Sequence, residues 1–387
     1  MKVIAPGAIA GPPVAALGRG RTPLRIGILA PCWFPVPPPR YGGIETIVSL
    51  LADGLVEAGH EVALFASGDS RTKARLVSIY DRAPSEEIGR TYWELRHALS
   101  CLAESGELDV VNDHTGMLGL VLGGLMSTPL VHTVHGPLDG QPGEMYEAIC
   151  GAVPRPLLVS LSLNQRRPRP GLPWIANCPN AIEVSSYPQG ARRRDYLLFL
   201  GRMSPEKGCH RAIQVARAAG LPLKIAAKMR EPAEEEYFHR FVEPELGDGV
   251  EFLGEVGHAE KVGLLRHARA TLFPIEWEEP FGLVMLESMA CGTPVIATRR
   301  GAVPEVVVDG KTGVIVESSG EMPAALARID RIDPDECRRH VETRFSPERM
   351  VAAYEHAYRL AVARAGRDEP LPRQAPPTGR ARRARVQ

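Results

Sequence analysis

The sequence predicts an α/β protein made of two Rossmann-like domains that face each other across a cleft. Short apolar runs alternate with helical runs along nearly the whole chain, the pattern of parallel sheets covered by helices. The strand-like runs are almost continuously apolar, as expected when both faces of a sheet are buried. The chain has 387 residues, enough for two hydrophobic cores.

In the first series the predicted strands are residues 24–30, 61–66, 109–112, 130–133 and 157–161, with a Pro/Gly-rich loop at 36–43 leading into a helix over 44–59. A polar stretch, 183–194, reads as the linker. The second series places strands at 196–200, 223–227, 250–253, 270–273, 294–297 and 313–316. Helices are expected between them at 206–219, 234–242, 259–268, 283–291 and 303–308. Ser346-Pro-Glu-Arg opens a last helix with an N-cap and a proline at its first position, running to about residue 365. The domains expected are therefore 23–182, joined by helix 346–365, and 183–345.

Both ends are expected to be disordered. Residues 1–22 imitate a signal peptide, but prolines and glycines interrupt the apolar core. From Arg364 onward seven arginines face two acids with no apolar face, so 366–387 reads as a solvated basic tail. Lysines plus arginines equal aspartates plus glutamates, 46 each, so no whole-molecule field favours nucleic acid, and none is expected as a partner. Seven scattered cysteines without a C-x-x-C argue against a disulfide framework or zinc site and suit a reducing cytoplasm. No run approaches the ~20 apolar residues that span a bilayer. Peripheral contact with the inner face of a membrane is left open, as is the oligomeric state.

The most informative segment runs from Glu276 to Ala297. Glu279 and Glu287 are separated by seven residues, with a Pro-Phe-Gly turn between them that opens an apolar helix. Glu287 is the only charge in residues 283–290. A buried carboxylate is costly unless it meets donors, and ligand hydroxyls would supply them, so the segment looks like a sugar or nucleotide site. A retaining hydrolase would need its carboxyls ~5 Å apart, whereas eight helical residues rise ~12 Å. Two binding points along one ligand fit better, with the amides of Phe281, Gly282 and Leu283 between them.

Other candidates sit where strands end. Tyr41-Gly-Gly-Ile-Glu45 lies between the first strand and first helix, where Gly42 and Gly43 let backbone N–H groups approach an anion; Gly-Gly is equally a plain turn signal. Arg202 and Lys207, in Gly201-Arg-Met-Ser-Pro-Glu-Lys-Gly208, flank a turn after the first strand of the second half and could clamp a diphosphate. In Leu130-Val-His-Thr-Val-His-Gly136, His135 should emerge at the cleft, while His132 alternates away and reads as structural. Asp113-His114 is a weaker cleft candidate. Gly310-Lys-Thr312 resembles the end of a P-loop, but Glu305 stands where the leading glycine is required. Asp333-Pro-Asp335 matches a metal-binding D-x-D, yet helix capping explains it better.

Together these motifs make the chain resemble the retaining GT-B glycosyltransferases of family 4. The matching residues are Tyr41-Gly-Gly-Ile-Glu45, His132-Thr-Val-His-Gly136, Pro179-Asn180, Gly201-Arg-Met-Ser-Pro-Glu-Lys-Gly208, Phe252-Leu-Gly254, the Glu279-to-Glu287 segment and Gly292-Thr-Pro-Val295, in family order over about residues 24–365. The resemblance implies transfer of a sugar from a nucleotide-diphosphate donor to an acceptor, with retention and without a metal. The residue matching Glu279 binds sugar hydroxyls, and the one matching Glu287 binds the ribose. Arg202 and Lys207 match the residues that hold the diphosphate, helped by the amide at Gly43, and His135 matches a histidine beside the sugar. Lys228 is placed near the nucleoside, and 346–365 matches a crossover helix. No cofactor is expected beyond the nucleotide sugar, with UDP as the first guess; the acceptor is unidentified. A related epimerase or phosphorylase, and an inactive sugar-nucleotide-binding subunit, are the alternatives. Pro179-Asn-Ala-Ile-Glu183 departs from the family's Asn-Gly-Val-Asp turn, and Ala181 lacks glycine's freedom at positive φ.

Overall fold

The computed structural model describes residues 22–190 and 195–366. The expected extension (but for residue 22), the basic run 192–194 and the tail beyond residue 366 lie outside the described residues. Two wholly parallel sheets organise the rest. The first contains β1 (Arg25–Leu29), β2 (Glu61–Phe65), β3 (Arg75–Val77), β4 (Val110–Asp113), β5 (Leu130–Thr133), β6 (Leu157–Ser160) and β7 (Trp174–Asn177), in the order β3-β2-β1-β4-β5-β6-β7. The second contains β8 (Leu197–Arg202), β9 (Leu223–Lys228), β10 (Val250–Gly254), β11 (Ala270–Phe273), β12 (Val295–Thr298) and β13 (Gly313–Val316), in the order β10-β9-β8-β11-β12-β13.

Alternation along β1 shows why both faces must be covered. Ile26 and Ile28 enter one core, with the helix Gly43–Glu57, while Leu29 enters another with Phe65 and Val111. The second sheet has a single extended core of its own. Strand order reverses between β1 and β4 in one sheet and between β8 and β11 in the other. Ligands of open α/β sheets lie beyond the carboxyl ends of strands at such switch points. Those ends carry Gly42, His114, Arg202 and the segment leading to Glu279.

The helix Pro347–Ala365 follows the second sheet in sequence but belongs to the first core, where Met350, Tyr354 and Tyr358 are buried with Ile26 and Val131. Its return is pinned where Ile182 N donates to Phe345 O at 3.2 Å.

Several expectations change. The continuous helix over 206–219 is instead a 3-10 turn, Pro205–Lys207, and a helix, Cys209–Ala219, separated by Gly208 at φ 78°. A Cβ at Gly208 would also meet Pro274 O at 2.5 Å, so both conformation and space require glycine at the break. Within the linker, Val184 and Tyr187 are buried in the second core. Edge strands β3 and β7 were unread because neither is fully buried. Ala181 has no positive φ, so its replacement of glycine causes no strain. As expected, Asp333 caps its helix, its Oδ1 accepting from Asp335 N at 2.9 Å.

Candidate active site

The segment after β11 builds one wall of the cleft. Chain leaves the sheet at Pro274, turns through Glu279 and Pro280, and re-enters helix at Leu283. Gly282 is the N-cap at φ 87°, and a Cβ there would lie 2.7 Å from Met285 Cε and 3.2 Å from Phe273 Cζ, so both conformation and space require glycine. The first amides of the helix Leu283–Ala290 have no intrahelical acceptor and present partial positive charge. Gly301 supports the turn from behind: its ideal Cβ would stand 2.3 Å from Glu279 N, and Ala302 N donates to Glu279 O at 2.9 Å.

Both carboxylates are buried, and the protein itself supplies their donors. Glu279 Oε2 accepts from Lys207 Nζ at 2.5 Å and from Trp277 Nε1 at 3.1 Å, with Lys207 also 4.5 Å from the Trp277 ring centroid. Glu287 Oε1 accepts from Lys261 Nζ at 2.5 Å and from Tyr187 OH at 2.8 Å. The expectation that ligand hydroxyls alone would offset burial of Glu287 is thus corrected. In each carboxylate one oxygen is clamped, and the other has no hydrogen bond to a described residue.

Arg202 ends β8 beside Lys207. Its Nη2 donates to Glu206 Oε1 at 2.5 Å, and Nε lies 3.8 Å from Glu234. Burial works against the Arg202 charge, but the Glu206 bond and neighbouring negative groups hold its pKa above the ordinary value. Lys228 is buried and donates to Glu231 at 2.6 Å and Glu234 at 3.0 Å, so its ammonium is engaged at the edge of the site rather than turned to Glu279.

The opposite wall comes from the first sheet. The helix Gly43–Glu57 starts after Gly42, and Gly43 lies near Leu283, whose side chain an added Cβ would meet at 3.5 Å. Tyr41 N donates to Glu255 Oε1 at 3.1 Å, tying this loop to the end of β10. Glu45 is buried beneath Gly42, and burial pushes its carboxyl up from 4.5 to about 7, its own amide giving partial relief. Between these values the folded protein keeps a proton that the unfolded chain has released. Stability therefore falls as pH rises from 4.5 to about 7, by about 3 kcal/mol in all. Glu45→Gln should remove that slope, which denaturant titrations at pH 5 and pH 8 would detect. Equal slopes in both proteins would contradict it.

His135 also lines this wall, half-buried, with Nε2 3.0 Å from His114 Nδ1. His114 is fully buried behind it and does not line the cleft. His132 is structural, as expected: it is fully buried, with Nδ1 2.6 Å from Asp113 Oδ2 and Nε2 2.9 Å from Tyr146 OH. The walls are joined by Glu305, whose carboxylate accepts from Leu163 N at 2.9 Å and Asn164 N at 2.6 Å, and by Ser162 Oγ, which donates to Pro280 O at 2.8 Å.

Comparison with known proteins decides the family. Residues 41–187 match the model of Glycosyltransferase Family 4, and residues 188–345 match that of Glycosyl transferases group 1. The chain belongs to the GT-B glycosyltransferases of family 4. A glycogen synthase of Mycobacterium tuberculosis is 27% identical, covering 87% of this chain and 95% of its own. Among solved structures, AviGT4, a glycosyltransferase involved in avilamycin A biosynthesis, is 26% identical with a TM-score of 0.65, covering 88% and 98% of the two chains. The HepE protein of Anabaena, solved in complex with UDP-glucose, shares the fold at 17% identity and a TM-score of 0.66, covering 87% and 99%.

In this GT-B glycosyltransferase the structure gathers Glu279, Lys207, Phe281, Gly282 and Leu283 at one strand end, with Arg202 on the neighbouring strand and Gly42, Gly43 and His135 on the facing sheet. Glu287 lies one turn into the helix, on the side of Lys261 and Tyr187. Sequence reasoning missed Trp277, Lys261, Tyr187 and Glu305. Trp277 carried a signal, an aromatic ring two residues before Glu279. Lys261 and Tyr187 reach Glu287 from 26 and 100 residues away, with no spacing to announce them.

No helix among the described residues is long and apolar enough to cross a membrane.

Proposed function

We propose that this glycosyltransferase takes its sugar from a nucleotide-diphosphate donor and transfers it with retention at the anomeric carbon, without a metal ion. The observation that carries this reading is the pair of buried, lysine-clamped carboxylates flanking a glycine-capped helix start. Glu279 receives the sugar hydroxyls on its unbonded oxygen, and Glu287 receives the ribose in the same way. Lys207, Arg202 and the amides near Gly43 and Leu283 meet the diphosphate. Fixed positive groups aimed at charge that grows on the leaving group lower the barrier. In the step itself the bond from C1 to the diphosphate oxygen breaks and the acceptor oxygen bonds to C1 on the same face. The acceptor proton passes to a donor phosphate oxygen. Lys228 stays a candidate for the nucleoside side. Residues 23–182 with 346–365 form the acceptor side and 183–345 the donor side, in a cytoplasmic enzyme.

The test is a thermal-shift screen of nucleotide diphosphates and their sugars, starting with UDP, followed by incubation of labelled donors with mixed acceptors. A donor at 100 times its Kd should add about 2.7 kcal/mol of stability. Product that requires an acceptor supports transfer. Interconversion without acceptor points to an epimerase, phosphate-dependent cleavage to a phosphorylase, and binding without turnover to an inactive subunit. An inverted product, or loss of activity with chelator, would overturn the mechanism.

A further inference from the structure

Behind His135 lies a buried chain of hydrogen bonds whose donors can be assigned one by one. Asn112 is fully buried, and its Nδ2 donates to Val131 O at 2.9 Å and to Thr133 Oγ1 at 3.1 Å. A backbone carbonyl can only accept, so the amide orientation is fixed and Oδ1 faces the other way. That oxygen takes two donors: Tyr358 OH at 2.7 Å, from the helix Pro347–Ala365, and His114 Nε2 at 2.6 Å. His114 Nε2 therefore carries a proton. The ring is wholly enclosed, and burial, with His135 and His132 nearby, holds its pKa well below the ordinary value, so it is neutral and Nδ1 is an acceptor. The group 3.0 Å from Nδ1 is His135 Nε2, which must then be the donor. His135 is likewise neutral, held down to about 3 mainly by burial. Its Nδ1 is left as an acceptor with no partner among the described residues.

We propose that His114 and Asn112 are positioning residues that lock His135 in the Nε2–H tautomer, so that its Nδ1 accepts a hydrogen bond from a hydroxyl of the bound sugar. Tyr358 occupies the remaining acceptor direction of Asn112. The helix that arrives from beyond the second domain thus supplies the second donor to the oxygen that orients His114. The role toward sugar rests on the nucleotide-sugar reading given above; the tautomer does not.

The experiment is long-range 15N–1H spectroscopy of the full-length protein labelled at histidine, combined with donor kinetics. Wild type should show His135 with a pyrrole-type Nε2 and a pyridine-type Nδ1. His114→Phe removes the acceptor and should give mixed tautomers, with KM for the nucleotide sugar raised about three- to tenfold, the worth of one hydrogen bond. Affinity for the nucleotide diphosphate without sugar should stay unchanged. His114→Asn places an amide oxygen near the former Nδ1 and should restore both readings. A wild-type Nδ1–H tautomer, or an unaltered tautomer in His114→Phe, would overturn the wiring. A restored tautomer without restored KM would overturn the role toward sugar. If no nucleotide sugar is turned over, the functional reading fails separately, and the spectra still decide the tautomer.

Discussion

Lys207→Ala is expected to lower turnover about 10²–10³-fold, the usual loss when one fixed donor to a developing anion is removed. The structure makes this more than the loss of a charge. Lys207 is held between Glu279 and the face of Trp277, so it needs no reorganisation to meet a diphosphate. On the proposed reading its Coulomb attraction is then shared between the carboxylate and the phosphates, while the unbonded oxygen of Glu279 takes the sugar hydroxyls. In Lys207→Ala, Glu279 loses its cation and becomes a buried carboxylate supported by Trp277 alone. The two side chains should therefore be strongly non-additive: Glu279→Ala should weaken sugar-dependent steps while nucleotide diphosphate still binds, and the double variant should lose less than the product of the singles. Single-turnover rates and diphosphate affinity for all four proteins close the cycle. Wild-type turnover in both single variants would place the chemistry elsewhere.

Asp113→Ala should be the most destabilising change near the cleft, by about 3–5 kcal/mol, because breaking a buried polar pair strands its partner. Asp113 accepts from Thr115 N at 2.9 Å and Thr115 Oγ1 at 2.6 Å while its other oxygen meets His132. Thr115 is only part-buried, but His132 is fully enclosed and cut off from bulk water, so little can replace its lost bond. Asp113→Asn keeps one acceptor and should lose less. Chemical denaturation measures both; a loss below about 1 kcal/mol for Asp113→Ala would show that His132 finds another partner.

What the sequence revealed and concealed follows one physical division. Motifs whose parts lie on one strand end or helix turn were legible. The spacing of Glu279 and Glu287 ruled out paired acid–base work, and the prolines and glycines around them announced a helix start. The alternation of His132 and His135 about a strand foretold that one would be internal. Partners brought together by folding were not legible. Nothing near Glu287 names Tyr187, and nothing near Asn112 names Tyr358, 246 residues later. Strands β3 and β7 escaped because edges need not be apolar on both faces. The helix over 206–219 is broken because Gly208 takes a left-handed conformation at φ 78°, which helix propensity alone does not announce.

The helix Pro347–Ala365 gives the chain an unusual genetic property. Its buried tyrosines complete the core of a domain encoded more than 150 residues earlier. The first domain is therefore not a contiguous piece of its own gene. A transcript cut after residue 182 would encode a sheet with one groove open, and a transcript starting there would carry a greasy helix with nowhere to bury it. Neither half is a free-standing evolutionary module. Recombination that swaps the second domain must take both crossings at once, near Ile182 and near Phe345, which already touch.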